Sequence, residues 1–403
     1  MKKPRICYVN PPVLLKRPIS ELIHKLGDKY ELSLLVPKKL FKKRDASLHH
    51  SKLAEKSWIY SYSIINPPFI SAEQPLPVTP MFCINTIKAM KNNDIIHLWV
   101  PYYLTSFKIM LTKKIFFPKK KLILTMDTVP GYSFSMGKSW DGIFKIYDKL
   151  FGWLIFGTPN IITLYGKSLV PYALKAGMPK DKIRVISTGI DVKKDLFKDS
   201  EKSRQEIRKE LNINSDTIVV LYAGLIVPRK GIDKIIRIAD KLRNENIVFI
   251  LAGDGPKKRE YEEKAEDFAV NDKVFFLGWR TDMHKLYQAS DVLLLPAEGE
   301  GLPGIVMEAM SRGVPCITSN IPCIPDLIED GKSGFLCNKD NVEEFAKRVK
   351  ELAGNKQKRK SFASEALKNI KKFEWKEVLG KYQALYAELM AADKKLNRFK
   401  QAK

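Results

Sequence analysis

Short apolar runs alternate along the chain with longer stretches in which apolar residues recur every three or four positions. The runs that predict buried strands are residues 5–10, 31–36, 94–98, 121–125, 160–164, 183–187, 218–223, 247–252, 273–277 and 292–295. The helical stretches between them include residues 19–26, 82–91, 105–114, 232–243 and 305–312. Strands that alternate with helices indicate parallel βαβ units. The pattern therefore predicts an α/β protein.

The chain is long enough for two hydrophobic cores, since 403 residues exceed the size at which one core usually stops growing. A polar run at residues 195–208 is the predicted linker. We predict one domain over residues 1–197 and a second over residues 198–374. Residues 375–403 are predicted to form an amphipathic basic helix, and residues 37–56 a basic loop with a short helix.

The positive charge is concentrated in the first half. The chain has 70 Lys and Arg against 45 Asp and Glu, a net charge of +25. Residues 1–195 contain 32 basic and 13 acidic residues, a net charge of +19, which leaves +6 for the remainder. Such a field attracts nucleic acid, an acidic membrane surface or a phosphorylated acceptor. The alternative is a lysine-rich surface without a dedicated partner.

The sequence predicts neither a membrane span nor a structural metal site. No apolar run approaches the roughly 18–20 residues that cross a bilayer, and the first strand is too short for a signal-peptide core. Cys7, Cys83, Cys316, Cys323 and Cys337 are scattered, and the five histidines show no paired ligand spacing. These features favour a reduced, cytoplasmic protein without a bound metal.

Two segments of the first half combine aromatic and basic residues. Residues 113–121 mix lysines with Ile and Phe, and residues 142–157 place aromatic and aliphatic residues at helical spacing beside two lysines. Apolar groups surrounded by lysines are typical of peripheral binding to anionic lipid. We therefore expect an anionic membrane surface as a partner. For residues 142–157, packing in a core is the alternative.

The most informative stretch is residues 290–315, SDVLLLPAEGEGLPGIVMEAMSRGVP. It predicts a buried strand, a glycine-rich turn and a helix, an arrangement whose helix N-terminus favours a phosphate. Glu300 precedes the turn and Glu308 lies on the helix. Gly301 and Gly304 allow the backbone to approach a ligand closely. The alternative is an ordinary βα unit with two surface glutamates.

This stretch resembles the donor-site signature of the retaining glycosyltransferases of family 4, with its E-x7-E motif followed by E-A-M-x-x-G-x-P. The resemblance continues in YAGLIVPRKGID (residues 222–233), LAGDGP (251–256), VFFLGWR (274–280) and IPDLIEDGKSGFL (324–336). It implies the GT-B architecture, in which two Rossmann-like domains face each other across a cleft. It also implies an N-terminal acceptor domain, a final helix that crosses back to it, and a nucleotide-sugar donor without a bound metal or cofactor.

By this resemblance, Lys230 matches the lysine of the diphosphate site, Glu308 would bind the nucleotide ribose and Glu300 the sugar hydroxyls. Trp279 and Arg280 lie where family members hold the nucleobase. The predicted donor-binding set is Gly224, Arg229, Lys230, Gly253, Trp279, Arg280, Glu300, Gly301, Leu302, Pro303, Gly304, Ile305 and Glu308. The residues predicted to act in catalysis are Asp127, Glu300 and Lys230.

The chain departs from the family pattern at three strand ends. Asn10-Pro11-Pro12 replaces the usual glycines, so Lys16 and Arg17 are the predicted source of charge on the acceptor side. Leu225 replaces an arginine whose charge Arg229 could restore.

Met126-Asp127 replaces the histidine that family members place near the transferred sugar. Asp127 could hold an acceptor hydroxyl, support positive charge at the anomeric carbon, or merely cap a turn. His97 is also predicted on the acceptor side, with an ordinary structural role as the alternative.

These observations lead us to expect a peripheral enzyme at the inner face of the cell membrane. It would transfer a hexosyl group, with retention of configuration, to a lipid-linked or cell-envelope saccharide in polysaccharide or glycolipid biosynthesis. Three alternatives stay open: a nucleotide-sugar epimerase of the same architecture, a non-catalytic subunit that keeps the fold, and a nucleic-acid binder. The sequence contains no recognised nucleic-acid motif, so nucleic acid is not an expected partner.

Overall fold

The computed structural model describes residues 3–12, 15–38, 57–64, 76–77, 79–192 and 200–401. The chain divides into two compact units. Unit 1 comprises Met1–Tyr132, Met136–Thr188 and Lys376–Lys403, and unit 2 comprises Ser133–Ser135 and Gly189–Trp375. The last helix of the chain therefore belongs to unit 1 from Lys376 onward.

Unit 1 is built on seven strands that pair in parallel. The strands are β1 (Arg5–Val9), β2 (Glu31–Pro37), β3 (Ser57–Tyr62), β4 (Ile95–Trp99), β5 (Lys121–Met126), β6 (Ile161–Leu164) and β7 (Ile183–Val185). The helices are α1 (Arg17–Leu26), α2 (Pro80–Asn92), α3 (Leu104–Phe116), α4 (Lys138–Ile155) and α5 (Val170–Lys175). The five inner strands are almost entirely buried, as their continuous apolar runs predict for parallel strands covered on both faces. The edge strands β3 and β7 are partly exposed.

Unit 2 contains six parallel strands. They are β8 (Ile218–Ala223), β9 (Ile247–Ala252), β10 (Val274–Gly278), β11 (Val292–Leu295), β12 (Cys316–Ser319) and β13 (Gly334–Cys337). The helices are α6 (Ser200–Glu210), α7 (Ile232–Lys241), α8 (Lys258–Asp267), α9 (Met283–Ala289), α10 (Gly304–Ser311), α11 (Val342–Gly354) and α12 (Lys356–Ile370), followed by the long α13 (Trp375–Gln401).

The strand order reverses at the middle of both sheets. It is β3-β2-β1-β4-β5-β6-β7 in unit 1 and β10-β9-β8-β11-β12-β13 in unit 2. The pairing of β1 with β4 and of β8 with β11 marks the two points of reversal. In open α/β sheets, ligands bind outside the carboxyl ends of the strands at such a point. The predicted Rossmann-like α/β fold of both halves is confirmed.

Helix α13 completes the interior of unit 1. Its side chains Val378, Tyr382, Leu385, Tyr386 and Leu389 are buried. The hydroxyl of Tyr386 lies 3.1 Å from that of Tyr8 on β1, and 2.9 Å from Nδ1 of His97 on β4. The described part of the helix is thus a packed element of unit 1 and not an exposed tail.

The predicted linker needs correction, one strand was not predicted, and one predicted loop lies mostly outside the described residues. The polar run at residues 195–208 is helical from Ser200, because Arg204 and Arg208 of α6 bond to the carboxylate of Asp291 and thereby dock the helix. The sequence did not predict strand β3. The predicted loop at residues 37–56 lies outside the described residues from residue 39 onward.

The aromatic segment at residues 142–157 does not pack as a core helix. Its residues lie mostly on α4, where only Asp148, Leu154 and Ile155 are buried. Four of its large apolar side chains, Ile143, Ile146, Leu150 and Trp153, are more than half exposed. The core interpretation holds for one side of the helix only, because α4 turns Phe144, Asp148 and Phe151 toward the rest of unit 1 and the exposed apolar residues outward.

Candidate active site

Two glycine turns meet at the carboxyl edge of the sheet in unit 2. Gly224 follows β8 and Gly253 follows β9, with φ angles of +146° and +151°. The amide of Gly224 donates to the carbonyl of Ala252 at 2.9 Å, and the amide of Ile226 donates to that of Asp254 at 2.9 Å. A Cβ atom at Gly253 would overlap the carbonyl of Gly224. Glycine is therefore required at Gly253 for the two turns to pack together.

A cavity of about 540 Å³ opens above these turns, a volume typical of small-molecule sites. Its wall combines the two glycine turns with residues from α9, α10 and the loop after β10. The lining residues are Ala223, Gly224, Leu225, Ala252, Gly253, Asp254, Gly255, Trp279, Arg280, Met283, Tyr287, Ile305 and Glu308. Six residues predicted to bind the donor thus line one cavity.

The carboxylate of Glu308 is held in place by a neighbouring tyrosine. The hydroxyl of Tyr287 donates to Oε2 of Glu308 at 3.0 Å. Burial, together with the negative charge of Glu308, raises the pKa of Tyr287 well above its usual value, so the phenol stays a donor. The guanidinium of Arg312 lies 4.9 Å from the centroid of the Tyr287 ring. Sequence analysis missed Tyr287, because it lies in an unremarkable helical stretch and meets Glu308 only in the fold.

Lys230 and Glu300 form an ion pair, although 70 residues separate them in the chain. Lys230 ends the 3₁₀ turn Pro228–Lys230, and Gly231 follows with a φ angle of +74°. A Cβ atom at Gly231 would overlap the carbonyl of Pro296, and the amide of Glu298 donates to the carbonyl of Arg229 at 2.8 Å. This contact between two backbone segments brings the lysine to the glutamate.

The remaining cations at this edge differ in how strongly the fold holds them. Arg229 is 46% exposed, and its Nη1 lies 3.7 Å from Oε1 of Glu300. Arg280 lines the cavity while its guanidinium bonds to both Asp282 and Glu210, and these bonds raise its pKa. The guanidinium of Arg229 is therefore more available to bind a phosphate than that of Arg280.

The predicted glycine-rich turn lies between β11 and α10. Leu302 and Pro303 are buried, and Gly301 is half-buried. Helix α10 begins at Gly304, and the next residue, Ile305, lines the cavity. The positive end of the α10 dipole is therefore directed toward this cavity.

Two exposed apolar side chains also belong to this wall. Leu225, which replaces the arginine of the family pattern, is 49% exposed, and Trp279 is 73% exposed. The cavity thus has an apolar rim at the turn after β8 and a large aromatic surface at the turn after β10.

In unit 1, Asp127 follows β5 and forms an ion pair with Lys16, with 2.5 Å between Nζ and Oδ2. The backbone of Lys16 is held by Asn10, whose Oδ1 accepts a hydrogen bond from the amide of Lys16 at 3.1 Å. About a quarter of each charged side chain is exposed. Arg17 begins α1 and is exposed. Lys16 and Asp127, which were predicted for separate roles, therefore lie together at the carboxyl edge of the sheet.

His97 does not occupy an accessible position. Its imidazole is fully buried, with Nε2 at 2.7 Å from Oγ1 of Thr125 and Nδ1 at 2.9 Å from the hydroxyl of Tyr386. Burial lowers its pKa well below the usual value, so the ring is neutral. A direct contact between His97 and an acceptor has no support, because α13 covers the ring.

Within the ranges that the structure describes, no group of three or more His, Cys, Asp or Glu side chains is arranged to hold a metal ion. Over the same residues, no helix is both long and apolar enough to cross a bilayer.

Residues 203–369 match the family model described as glycosyl transferases group 1. N-acetyl-alpha-D-glucosaminyl L-malate synthase of Bacillus anthracis is 23% identical over 237 residues, which cover 58% of this chain and 61% of that enzyme. An Escherichia coli UDP-Gal:alpha-D-GlcNAc-diphosphoundecaprenol alpha-1,3-galactosyltransferase is 28% identical over 229 residues, 55% of this chain and 57% of that enzyme. The match therefore spans little more than half the length of these relatives.

The fold of the chain is similar to that of other solved proteins. The Anabaena protein HepE, solved in complex with UDP and glucose, superimposes with a TM-score of 0.73. The two proteins share 19% sequence identity, and the superposition covers 96% of this chain and 99% of HepE. At this identity the likeness shows the fold. Residues 203–369 thus resemble group 1 glycosyltransferases and lie within a chain of two Rossmann-like units.

Proposed function

We propose that this protein transfers a hexosyl group from a nucleotide-diphosphate sugar to a saccharide acceptor, with retention of configuration. The observation that carries the proposal is the convergence of Glu308, the Lys230–Glu300 ion pair and the glycine turns at one edge of unit 2. The family match over residues 203–369 supports the same reaction class. No metal or cofactor is part of the proposal.

Each group in unit 2 suits one part of such a donor. Glu308, an acceptor of hydrogen bonds held by Tyr287, suits the ribose hydroxyls. Trp279 offers an exposed aromatic face for the base. Lys230, Arg229 and the first N–H groups of α10 suit the diphosphate. Glu300 would bind the sugar hydroxyls once Lys230 turns from its carboxylate to the phosphates.

During transfer, the bond between the anomeric carbon and the diphosphate breaks, and negative charge grows on the departing oxygens. Fixed cations and oriented N–H groups stabilise such charge without a reorganisation step. The sugar gains positive character at the same time, which an ionised carboxylate can stabilise. We propose Asp127 for this role, with Lys16 holding it in place, and leave the capping of a turn as its alternative.

For the acceptor, we propose a lipid-linked or cell-envelope saccharide at the inner face of the cell membrane. The charge of +19 over residues 1–195 suits a phosphorylated or membrane-bound acceptor. The Escherichia coli relative is named for a diphosphoundecaprenol-linked acceptor, which is in keeping with this choice.

Thermal unfolding with a panel of nucleotide-sugars tests the donor. A ligand at 100 times its Kd stabilises the folded state by about 2.7 kcal/mol. We expect one nucleotide-sugar, and its free nucleoside diphosphate more weakly, to raise the melting temperature. If no member of the panel does so, the proposal is wrong. The anomeric configuration of a product, determined by NMR, tests retention.

The alternative functions make different predictions in the same assays. An epimerase would convert the donor when no acceptor is present, whereas a transferase would require the acceptor. A non-catalytic subunit would bind the nucleotide without turnover. A nucleic-acid binder would be retained on heparin and ignore lipid vesicles.

A further inference from the structure

Helix α4 exposes a continuous row of large apolar side chains. The row consists of Trp140, Ile143, Ile146, Leu150 and Trp153, and between 52% and 61% of each side chain is exposed. Their spacing of three and four residues places them on one face of the helix. We call this row the apolar stripe. It extends along about 20 Å of the helix, at 1.5 Å per residue.

The opposite face of α4 fixes this orientation. The hydroxyl of Tyr102 donates to Oδ2 of Asp148 at 3.2 Å, and the rings of Phe107 and Phe151 meet edge to face at 5.4 Å. Phe144 meets Tyr102 in the same way at 5.2 Å. These contacts anchor α4 to unit 1. The stripe therefore faces outward because the other side of the helix is already packed.

A neighbouring helix end extends the exposed apolar surface. The ammonium of Lys114, in the last turn of α3, lies 4.2 Å from the centroid of the Trp153 ring. The next two residues, Ile115 and Phe116, are 58% and 69% exposed. Soluble proteins rarely expose large contiguous apolar patches unless these serve an interaction.

The exposed charged side chains of α4 are all basic. Every exposed charged residue of α4 is a lysine, namely Lys138, Lys145 and Lys149. At 100° per residue, these three lysines project along one edge of the stripe. Of the two acidic residues of the helix, Asp148 is buried, and Asp141 is half-buried with its Oδ1 accepting from the amide of Met136 at 2.9 Å. The three exposed lysines therefore outnumber the partly exposed carboxylate.

We propose that α4 docks this protein on an anionic lipid bilayer, with the apolar stripe immersed in the interface and the lysines at the headgroups. Helices that lie in the membrane plane combine an apolar face rich in aromatic and aliphatic residues with basic flanks. Trp140 and Trp153 at the two ends of the stripe suit the headgroup region. A second copy of the chain is a poorer partner, because it would bring an equally basic surface against these lysines.

This surface differs from the basic loop at residues 117–121. There, Lys120 Nζ donates to the carbonyl of Asn93 at 2.6 Å, while Lys113 Nζ donates to that of Pro118 at 3.2 Å. The side chains of Lys120 and Lys113 thus also stabilise the fold. We assign the main docking role to α4 and a supporting electrostatic role to this loop.

Co-sedimentation of the full-length chain with vesicles tests the proposal without any donor or acceptor. Vesicles of phosphatidylcholine are compared with vesicles that also contain phosphatidylglycerol. We expect binding only to the anionic vesicles and its loss in high salt. The double variant Ile146→Ser/Leu150→Ser should weaken binding more than tenfold. Lys145→Ser/Lys149→Ser should weaken it roughly 25-fold, since each lysine near anionic lipid contributes about fivefold.

The matched control is Ile84→Ser/Ile87→Ser on α2, which removes two exposed apolar side chains of unit 1 outside the stripe. This variant should bind vesicles like the wild type. Undiminished vesicle binding by the stripe variant, or an equal loss in the control, would overturn the proposal. So would a wild-type dimer that the stripe variant converts to a monomer in sedimentation equilibrium, since a second copy would then cover the stripe.

The link to a lipid-linked acceptor rests on the proposed function, whereas the docking does not. If nucleotide-sugars fail to bind but the vesicle result holds, the transferase proposal fails alone. If transfer to a soluble acceptor analogue occurs but vesicle binding does not depend on the stripe, the docking proposal fails alone.

Discussion

The phenol of Tyr287 donates a hydrogen bond of 3.0 Å to the carboxylate of Glu308, the residue proposed to bind the ribose. Tyr287 is buried on α9, and Glu308 lies on α10. The bond therefore joins two helices at the wall of the cavity. A carboxylate fixed in this way needs less ordering when a ligand arrives, which strengthens binding.

Tyr287→Phe should weaken nucleotide binding about tenfold, because Glu308 loses a donor to a charged acceptor, a bond worth about 1.5–3 kcal/mol. Isothermal calorimetry with the nucleoside diphosphate measures this effect. Tyr261→Phe is the matched control, since Tyr261 lies on α8 and does not line the cavity. Equal affinity of the two variants would show that Tyr287 does not position Glu308.

Glu308→Ala and Lys230→Ala should each abolish most donor binding while the fold survives. Both side chains lie at the carboxyl edge of the sheet, where the ribose and the diphosphate are proposed to bind. Calorimetry with the nucleotide-sugar checks the affinity, and circular dichroism checks the fold. Glu262→Ala, on the outer helix α8, should bind like the wild type. Unchanged affinity in both site variants would contradict the assignment of this cavity to the donor.

Glu300→Gln should leave nucleotide binding nearly intact and reduce turnover. Glutamine keeps the shape of the side chain, but Lys230 loses its ion-pair partner and the sugar hydroxyls lose a charged acceptor. The test compares the affinities for the nucleoside diphosphate and for the nucleotide-sugar with single-turnover rates. An equal loss of affinity for both ligands would place Glu300 at the nucleotide instead of the sugar.

Asp127→Asn should keep the fold and the donor affinity but slow transfer by about 10²-fold, the usual scale for losing one electrostatic partner of a transition state. If Asp127 only caps the turn, asparagine should substitute well, because Asn and Asp are comparable caps. Single-turnover rates distinguish the two roles. A rate within about threefold of the wild type would assign Asp127 to structure.

Asp148 should make stability depend on pH. Burial raises the pKa of this carboxyl from 3.8 to about 7, against the lowering effect of the hydrogen bond from Tyr102. The folded state then binds the proton more tightly than the unfolded chain. The contribution to stability is therefore present below about pH 4, falls as the pH rises, and is lost above pH 7.

Between pH 4 and pH 8, the unfolding free energy of Asp148→Asn should decrease by a few kcal/mol less than that of the wild type. Denaturant titrations at several pH values measure this change. Asp181→Asn, at an exposed position of unit 1, serves as the control and should keep the wild-type slope. If the Asp148 variant keeps that slope as well, the carboxyl is already ionised in the fold.

Local patterns sufficed to predict most of the strands. Continuous apolar runs such as residues 218–223 and 247–252 coincide with β8 and β9, because buried parallel strands need apolar side chains on both faces. Helix α6 was missed for the opposite reason. Its sequence SEKSRQEIRKE is nearly all polar, and the contacts that dock it include the bonds of Arg204 and Arg208 to Asp291, 83 or more residues away. Such a bond leaves no local signal.

In the candidate site as well, local motifs predicted some features, whereas contacts between distant residues were missed. The positions of Glu300, Glu308 and Lys230 could be predicted from motifs at strand ends, since these ends share one edge of the sheet. The contact of Tyr287 with Glu308 could not, because it depends on how helices α9 and α10 pack. That of Lys16 with Asp127 could not either, because 111 residues separate the two in the chain. The sequence pattern also could not predict that the apolar stripe faces outward, since the buried face of α4 carries an aspartate where a pattern would place apolar residues.

The packing of α13 against His97 and Tyr8 affects the order in which the chain can mature on the ribosome. The strands of unit 1 are complete at residue 185, but their cover from Lys376 onward emerges about 190 residues later. At 5–20 residues per second, this delay is roughly ten to forty seconds. During that time, the polar groups around His97 and the apolar surface beside them lack their native partner. The nascent first unit must therefore remain incomplete until α13 has emerged from the ribosome, and a fragment truncated before Tyr382 would be prone to aggregate.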